Sequence, residues 1–242
     1  MNTSQLVAHR GYQKCFPENS LIAVMSAIAA GAVNIEVDLQ FNDEGLVFLF
    51  HDDELSRISG VEACFHSQSS EVLSKLSAYE PARLGEKFSA NPIALFAELL
   101  PIIRNYQEIN FFIELKEASV RRYGAAACID HLINLMEELS ENCILISYSG
   151  ELLSCAKKRG FSKTGLVIRD WKIRNTLADQ FLVDYIIIDY KRIASEVIDA
   201  NVPVMVYEVD NLPLAQSLIE RGAFAVETFC FNDLADAIHR EL

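Results

Sequence analysis

The chain has 242 residues, 51% of them hydrophobic, and a formal net charge of −13. That length and core content suit one large α/β domain. An acidic surface whose longest basic cluster is Lys157-Lys158-Arg159 excludes nucleic-acid binding. In chain order, residues 1–5 show no basic region followed by an apolar one, so no secretory leader is expected and a cytoplasmic location is the expectation. No apolar run approaches the roughly 18–20 residues of a membrane span. Six scattered cysteines without a C-x-x-C pair offer neither a zinc pattern nor a disulfide framework.

Short β-like runs alternate with amphipathic helical runs, the pattern of a parallel sheet with helical crossovers. Strands are predicted at 6–9, 34–39, 111–115, 143–148, 164–168, 185–189, 204–209 and 223–227, and helices at 20–30, 92–105, 120–139, 150–159, 192–200, 212–221 and 232–240. Gly31, Gly160 and Gly222 stand where helix C-terminal glycines belong. Eight strand–helix repeats in this length point to a closed (β/α)8 TIM barrel. One run departs from the alternation: 46–50 follows the second strand after too few residues for a parallel crossover, so the two should form a hairpin. The polar stretch 52–91, with one short helical piece near 70–76, reads as an inserted excursion over one end of the barrel. No linker or repeat divides the chain, and 1–242 is read as a single domain.

Charged residues gather where the apolar runs end: V-A-H-R-G at 7–11, P-E-N-S at 17–20, I-E-V-D at 35–38, F-L-F-H-D at 48–52 and F-I-E-L-K at 112–116. Residues two apart on a strand share a face, so Glu36 and Asp38 point the same way, and Glu114 and Lys116 repeat the spacing. Their neighbours Val33, Ile35, Val37 and Leu39 are apolar, so the charged face should turn toward the barrel axis, where unpaired carboxylates are costly. Such a set calls for a cation, and all-oxygen ligands favour Mg²⁺, Ca²⁺ or Mn²⁺ over zinc. His9 and His51, each ending an apolar run, suit an acid–base pair near neutral pH. Arg10 can fork onto phosphate oxygens. Asn19 or Ser20 equally suits a helix cap.

Taken together, H-R-G, P-E-N-S, E-x-D, G-x-x-V-x-x-H-D and I-E-L-K resemble the glycerophosphodiester phosphodiesterase family, with high specificity over residues 6–55 and 111–117. The resemblance implies a distorted barrel with an insertion after its second strand. It implies one divalent ion, Mg²⁺ or Ca²⁺ with Mn²⁺ as a further candidate, on Glu36, Asp38 and Glu114, with His9 and His51 as general acid and base. Arg10 and Lys116 would hold the phosphate, and Glu18 and Asn19 would line the site. The implied substrate is a small glycerophosphodiester. The neighbouring glycerol hydroxyl would attack to give a cyclic phosphate that water opens to glycerol 3-phosphate, with release of an alcohol such as choline or ethanolamine.

Departures from the family pattern come late. Tyr207-Glu208-Val209-Asp210 stands for W-T-V-N, and Glu227-Thr228-Phe229-Cys230 for T-D-x-P. They alter the wall against which the alcohol would rest, so Tyr207 is taken as substrate-binding. Two alternatives accompany this reading: a phospholipase-D-like lyase that leaves a cyclic phosphate, and a catalytically weak binding or regulatory relative. Composition leaves the oligomeric state open.

Overall fold

The computed structural model describes residues 1–136, 141–194 and 196–241. Nine strands form one sheet: β1 (Leu6–His9), β2 (Asn34–Phe41), β3 (Val47–Leu49), β4 (Asn110–Leu115), β5 (Cys143–Ser147), β6 (Lys163–Ile168), β7 (Tyr185–Asp189), β8 (Val204–Tyr207) and β9 (Ala225–Thr228). Strand β1 pairs in parallel with both β2 and β9, and the order β2-β4-β5-β6-β7-β8-β9 completes the ring, so eight parallel strands close into a barrel. Strand β3 stands outside it, antiparallel to β2 with Leu39 opposite Leu49 and Phe41 opposite Val47. The (β/α)8 reading and the hairpin expected after the second strand both hold.

Helices α1 (Leu21–Ala29), α5 (Phe96–Asn105), α6 (Glu117–Tyr123), α7 (Ala125–Met136), α8 (Gly150–Lys158), α9 (Arg174–Phe181), α10 (Leu212–Glu220) and α11 (Phe231–Glu241) surround the ring. The alternation of side chains along each strand divides the core in two. Outward residues such as Leu6, Ile35, Val37, Ile113 and Leu145 pack under the helices. Inward residues Val7, Phe112, Ile144, Ile146, Val167, Ile187, Met205 and Ala225 fill the barrel. The filling is tight at Gly165, where a Cβ would stand 2.7 Å from Ile187 Cδ1. Polar side chains on the same inward faces therefore sit above an apolar plug, at the C-terminal mouth.

The helices depart from expectation at three places. Gly124, at φ +81°, interrupts the helix expected at 120–139 and splits it into α6 and α7, while 137–139 lies outside the described residues. The helix expected at 192–200 is not formed by the described residues there, and Ser195 lies outside them. Ile193 and Ile198 are both buried, and Ile198 donates its N–H to Arg221 O (2.7 Å) rather than along a helix. Helix α9 was not expected because its sequence is polar: Ala178 is its one fully buried side chain.

The excursion contains α2 (Ser56–Ser59), α3 (Ser70–Leu73) and α4 (Pro81–Leu84), more helical turns than its weak periodicity suggested. It has its own apolar cluster, in which Phe48 and Phe50 from the hairpin meet Leu55, Ile58, Phe65 and Leu73. The Phe65 ring stacks on Phe50 at 4.5 Å and meets Phe48 edge-on at 5.8 Å. His66 ties this layer to β2, with Nδ1 2.8 Å from Phe41 O and Nε2 3.6 Å from Asp53, so it has the charged partner that its sequence context did not suggest. No helix among the described residues is long and apolar enough to cross a membrane.

Because Phe65 is fully buried in this satellite cluster rather than in the barrel, Phe65→Ala should cost roughly 3–5 kcal/mol of local stability. Hydrogen exchange is expected to accelerate across 52–91 and stay slow in β4–β8. Uniform acceleration would show that the excursion and the barrel unfold as one unit.

Candidate active site

Strand β1 ends at His9 and the chain turns at once through Arg10 (φ +55°) and Gly11 (φ +77°). A Cβ on Gly11 would stand 2.6 Å from Ala23 C and 2.7 Å from Val24 N, so the turn lies against the backbone of α1 and only glycine fits. Ser20 caps α1, its Oγ accepting from Ala23 N at 3.2 Å. That leaves Asn19, itself left-handed at φ +52°, free for the site.

Sheet register then assembles the carboxylates. His9 is level with Glu36 across β1–β2, and Asp38 with Glu114 across β2–β4. Glu36, Asp38 and Glu114 place oxygens within 4.8 Å of one another, a group that could hold a metal ion. Asp38 is the most heavily engaged: Arg10 Nε lies at 3.0 Å, Asn19 Nδ2 donates at 2.9 Å and Lys116 Nζ donates at 3.3 Å. The Asp38 N–H in turn donates to Asn19 Oδ1 (2.9 Å). Lys116 Nζ also lies 2.9 Å from Glu114 Oε1. Burial alone would raise Asp38, but Lys116 and Arg10 hold it below the usual carboxylate range. Glu36 goes the other way, pushed well up by burial and by the negative charges of Asp38 and Glu227. Its Oε2 accepts from Arg10 N (3.1 Å), whereas its buried Oε1 has no hydrogen-bond partner among the described residues. An all-carboxylate group with an unsatisfied buried oxygen fits a hard divalent cation.

The histidines flank this group. His9 is buried, with Nε2 3.7 Å from Glu36 Oε2, Nδ1 4.0 Å from Glu208 Oε1, and its ring 4.9 Å from that of Phe229. Burial and the positive charge of Arg10 lower it well below the ordinary histidine value, which favours a neutral ring. His51 Nδ1 stands 2.6 Å from Asp52 Oδ1. Burial raises Asp52, but hydrogen bonds from His51 and Arg57 hold it down and ionised. A carboxylate only accepts, so Nδ1 carries the proton and Nε2 is left for chemistry. Gln40 Nε2 donates to His51 O (2.8 Å) and Asp52 O (2.6 Å), fixing the segment that follows β3.

All ten residues singled out in the sequence therefore meet at one mouth. His9, Arg10, His51, Glu114, Lys116 and Tyr207 line a cavity of about 100 Å³. Glu36, Asp38, Glu18 and Asn19 stand buried behind them. Arg10 and Lys116 are both held by carboxylates, Arg10 also pairing with Glu18 at 2.8 Å. Sequence reading placed the segments of Glu208 and Glu227 at the wall of the site without giving either residue a role of its own, and it missed Tyr148, which lines the same cavity, and Arg57 behind it. For Glu227 a signal was present: an acid two residues from Ala225 on one face of a strand, with apolar Val226 between them. Arg57 gave none, because Glu18, the buried site residue it holds, is 39 residues away in sequence.

The sequence profile of the Glycerophosphoryl diester phosphodiesterase family matches residues 9–143, more than half of the chain. The chain belongs to that family. It is 31% identical over 120 residues to a glycerophosphodiester phosphodiesterase of Bacillus altitudinis, covering 50% of this chain and 48% of that protein. It is 30% identical over 155 residues to one of Caldanaerobacter subterraneus, covering 63% and 61%. The matched stretch thus spans about half to three-fifths of the length of these relatives. In fold it is similar to an Oleispira antarctica phosphodiesterase solved in complex with the product sn-glycerol-3-phosphate (TM-score 0.81, 20% identity, 97% of this chain and 96% of that one).

Arg57 bridges Glu18 (2.6 and 2.7 Å) and Asp52 (2.6 and 2.9 Å). Burial alone would raise Glu18, but Arg10 and Arg57 hold it below its usual 4.5. A depressed carboxylate stabilises the fold above its unfolded value and loses that contribution as pH falls. Arg57→Met should therefore cost roughly 2–3 kcal/mol at pH 7. Urea titrations at successive pH values should show the gap to the unaltered protein closing as pH drops below 4.5, the ordinary glutamate value. A gap independent of pH would show that Arg57 acts through packing alone.

Proposed function

We propose that this chain is a divalent-metal-dependent glycerophosphodiester phosphodiesterase that releases glycerol 3-phosphate and an alcohol. The observation carrying this reading is the convergence of Glu36, Asp38 and Glu114 within 4.8 Å, beside His9 and His51 in one cavity. Glu36, Asp38 and Glu114 would hold one Mg²⁺ or Ca²⁺ ion, with Mn²⁺ a third option. Bound there, the ion supplies positive charge against the negative charge that grows on the phosphoryl oxygens.

The chain's own groups do the rest. Arg10 and Lys116 orient the phosphate, with Glu18 and Asn19 holding Arg10 and Asp38 in place. As the neighbouring glycerol hydroxyl attacks phosphorus, one histidine takes its proton and the other gives a proton to the departing alkoxide. The roles reverse when water opens the cyclic ester. Tyr207 lies against the alcohol. Residues 1–242 act as one catalytic domain with 52–91 as its cover. The six cysteines are free thiols, which suits work in the reducing cytoplasm.

Glycerol 3-phosphate release from glycerophosphocholine or glycerophosphoethanolamine is expected with Mg²⁺, Ca²⁺ or Mn²⁺ and not with EDTA. His51→Ala and His9→Ala should each lower kcat by on the order of 10²–10⁴-fold. Cyclic phosphate accumulating in place of glycerol 3-phosphate would move the chain to the lyases. Metal-independent release untouched by both substitutions would sink the mechanism.

A further inference from the structure

The three acids assigned to the ion do not meet it unopposed. Arg10 Nε lies 3.0 Å from Asp38, and Lys116 Nζ lies 3.3 Å from Asp38 and 2.9 Å from Glu114. Cations held on two of the three carboxylates weaken the pull of the group on a divalent ion. A fourth acid stands beside them with no such partner. Glu227 shares the inward face of β9 with Ala225 of the apolar plug, and it lines the same cavity as Glu114. It is 3% exposed, and its Oε1 has no hydrogen-bond partner among the described residues. Burial and the negative charges of Glu114 and Asp38 push it well above the ordinary glutamate value, and after burial and Asp38 its own charge adds to the rise of Glu36.

We propose that Glu227 is a fourth acid of the ion's site, and that its charge makes a divalent ion bind tightly beside Arg10 and Lys116. The proposal rests on the metal-dependent reading and adds a residue of this chain to Glu36, Asp38 and Glu114. Glu227 lies outside the set whose oxygens are all within 4.8 Å of one another, so it serves as an adjacent charge and does not replace any of the three. A buried carboxylate without a partner is costly, and a divalent ion entering the same cavity offsets that cost. The ion and Glu227 each relieve a charge that the other leaves uncompensated.

The remaining acid of the cavity differs in kind. Glu208 has a side chain 43% exposed, with Oε1 4.0 Å from His9 Nδ1, so water screens its charge from the ion's site. Glu227 is closed off from that screening. It also stands where the family pattern T-D-x-P has threonine, so its charge is an addition of this chain.

The test is calorimetry of Mn²⁺ binding, without substrate, to the unaltered protein, E36Q, E208Q, E227Q and E227T. E227Q keeps the shape and drops the charge, and E227T restores the residue of the family pattern. Both should bind Mn²⁺ at least about tenfold more weakly than the unaltered protein, with E208Q within about twofold of it. E36Q, which removes a proposed ligand, should bind more weakly still. Thermal unfolding separates charge from packing. In EDTA, E227Q should be no less stable than the unaltered protein, because it loses an unpartnered charge, while the rise in Tm at a fixed Mn²⁺ concentration should be smaller. Unchanged Mn²⁺ affinity in E227Q and E227T, alongside a loss in E36Q, would overturn the inference and leave the metal-dependent reading standing. Equal weakening in E208Q and E227Q would also overturn it, by assigning the effect to the overall charge of the cavity. Mn²⁺ binding that E36Q leaves intact, or no binding by the unaltered protein, would overturn both.

Discussion

Asp38 is the interaction on which the mouth of the barrel depends. A fully buried carboxylate at the centre of a site is tolerable only when donors surround it, and Asp38 is met by Arg10, Asn19 and Lys116. Each comes from a different piece of chain: the turn after β1, the residue before the cap of α1, and the residue after β4. Satisfying one charge therefore fixes both ends of the loop between β1 and α1 and the connection between β4 and α6. The left-handed backbones of Arg10 and Asn19 follow from the same demand. Both residues leave the favoured regions so that their side chains can turn toward Asp38, a local cost that the ion pair and hydrogen bonds offset.

A second layer of charge carries this order outward. Glu18 receives Arg10 from the barrel and Arg57 from the excursion, while Arg57 also grips Asp52, which holds His51. Glu80 adds its own link, accepting from Glu18 N (2.8 Å) and pairing with Arg83. The excursion is thus joined to the site electrostatically at one edge and through the Phe48–Phe50–Phe65 cluster at another. Its position is set by the charges it covers, which is why a polar, weakly periodic sequence can lie in one place.

Much of this was legible in the residues because strand physics is local. Period-two alternation put Glu36, Asp38, Glu114 and Lys116 on the inward face, and the short gap after β2 required the hairpin. The remainder depends on contacts that no spacing encodes. Arg57 is 39 residues from Glu18, and nothing near it in sequence distinguishes it from a surface arginine. Helix α9 is polar because it lies at the periphery, so its burial pattern is too faint to reveal it. Segment 192–200 carries helix-forming residues, yet Ile198 bonds across to the end of α10 instead, a tertiary preference that overrides local propensity. P-E-N-S was ambiguous between cap and site because it is both: Ser20 caps, and Asn19 reaches Asp38.

The late strands show how a shared mouth can be retuned without disturbing its chemistry. The groups that hold Asp38 and Glu36 come from β1, β2 and β4 and the loops that follow them. Tyr148, Tyr207 and Glu227 come from the ends of β5, β8 and β9, joined to the first set by sheet pairing and by the apolar plug of Val7, Phe112, Ile144, Met205 and Ala225. A substitution at Tyr148 or Tyr207 therefore changes that part of the cavity lining while the donors around Asp38 stay in register. That separation follows from the closed barrel, in which each strand supplies its own inward residue to a common space. It explains how this chain can depart from its family's pattern on the last strands and still keep Glu36, Asp38, Glu114, Arg10, Lys116, His9 and His51 at one mouth.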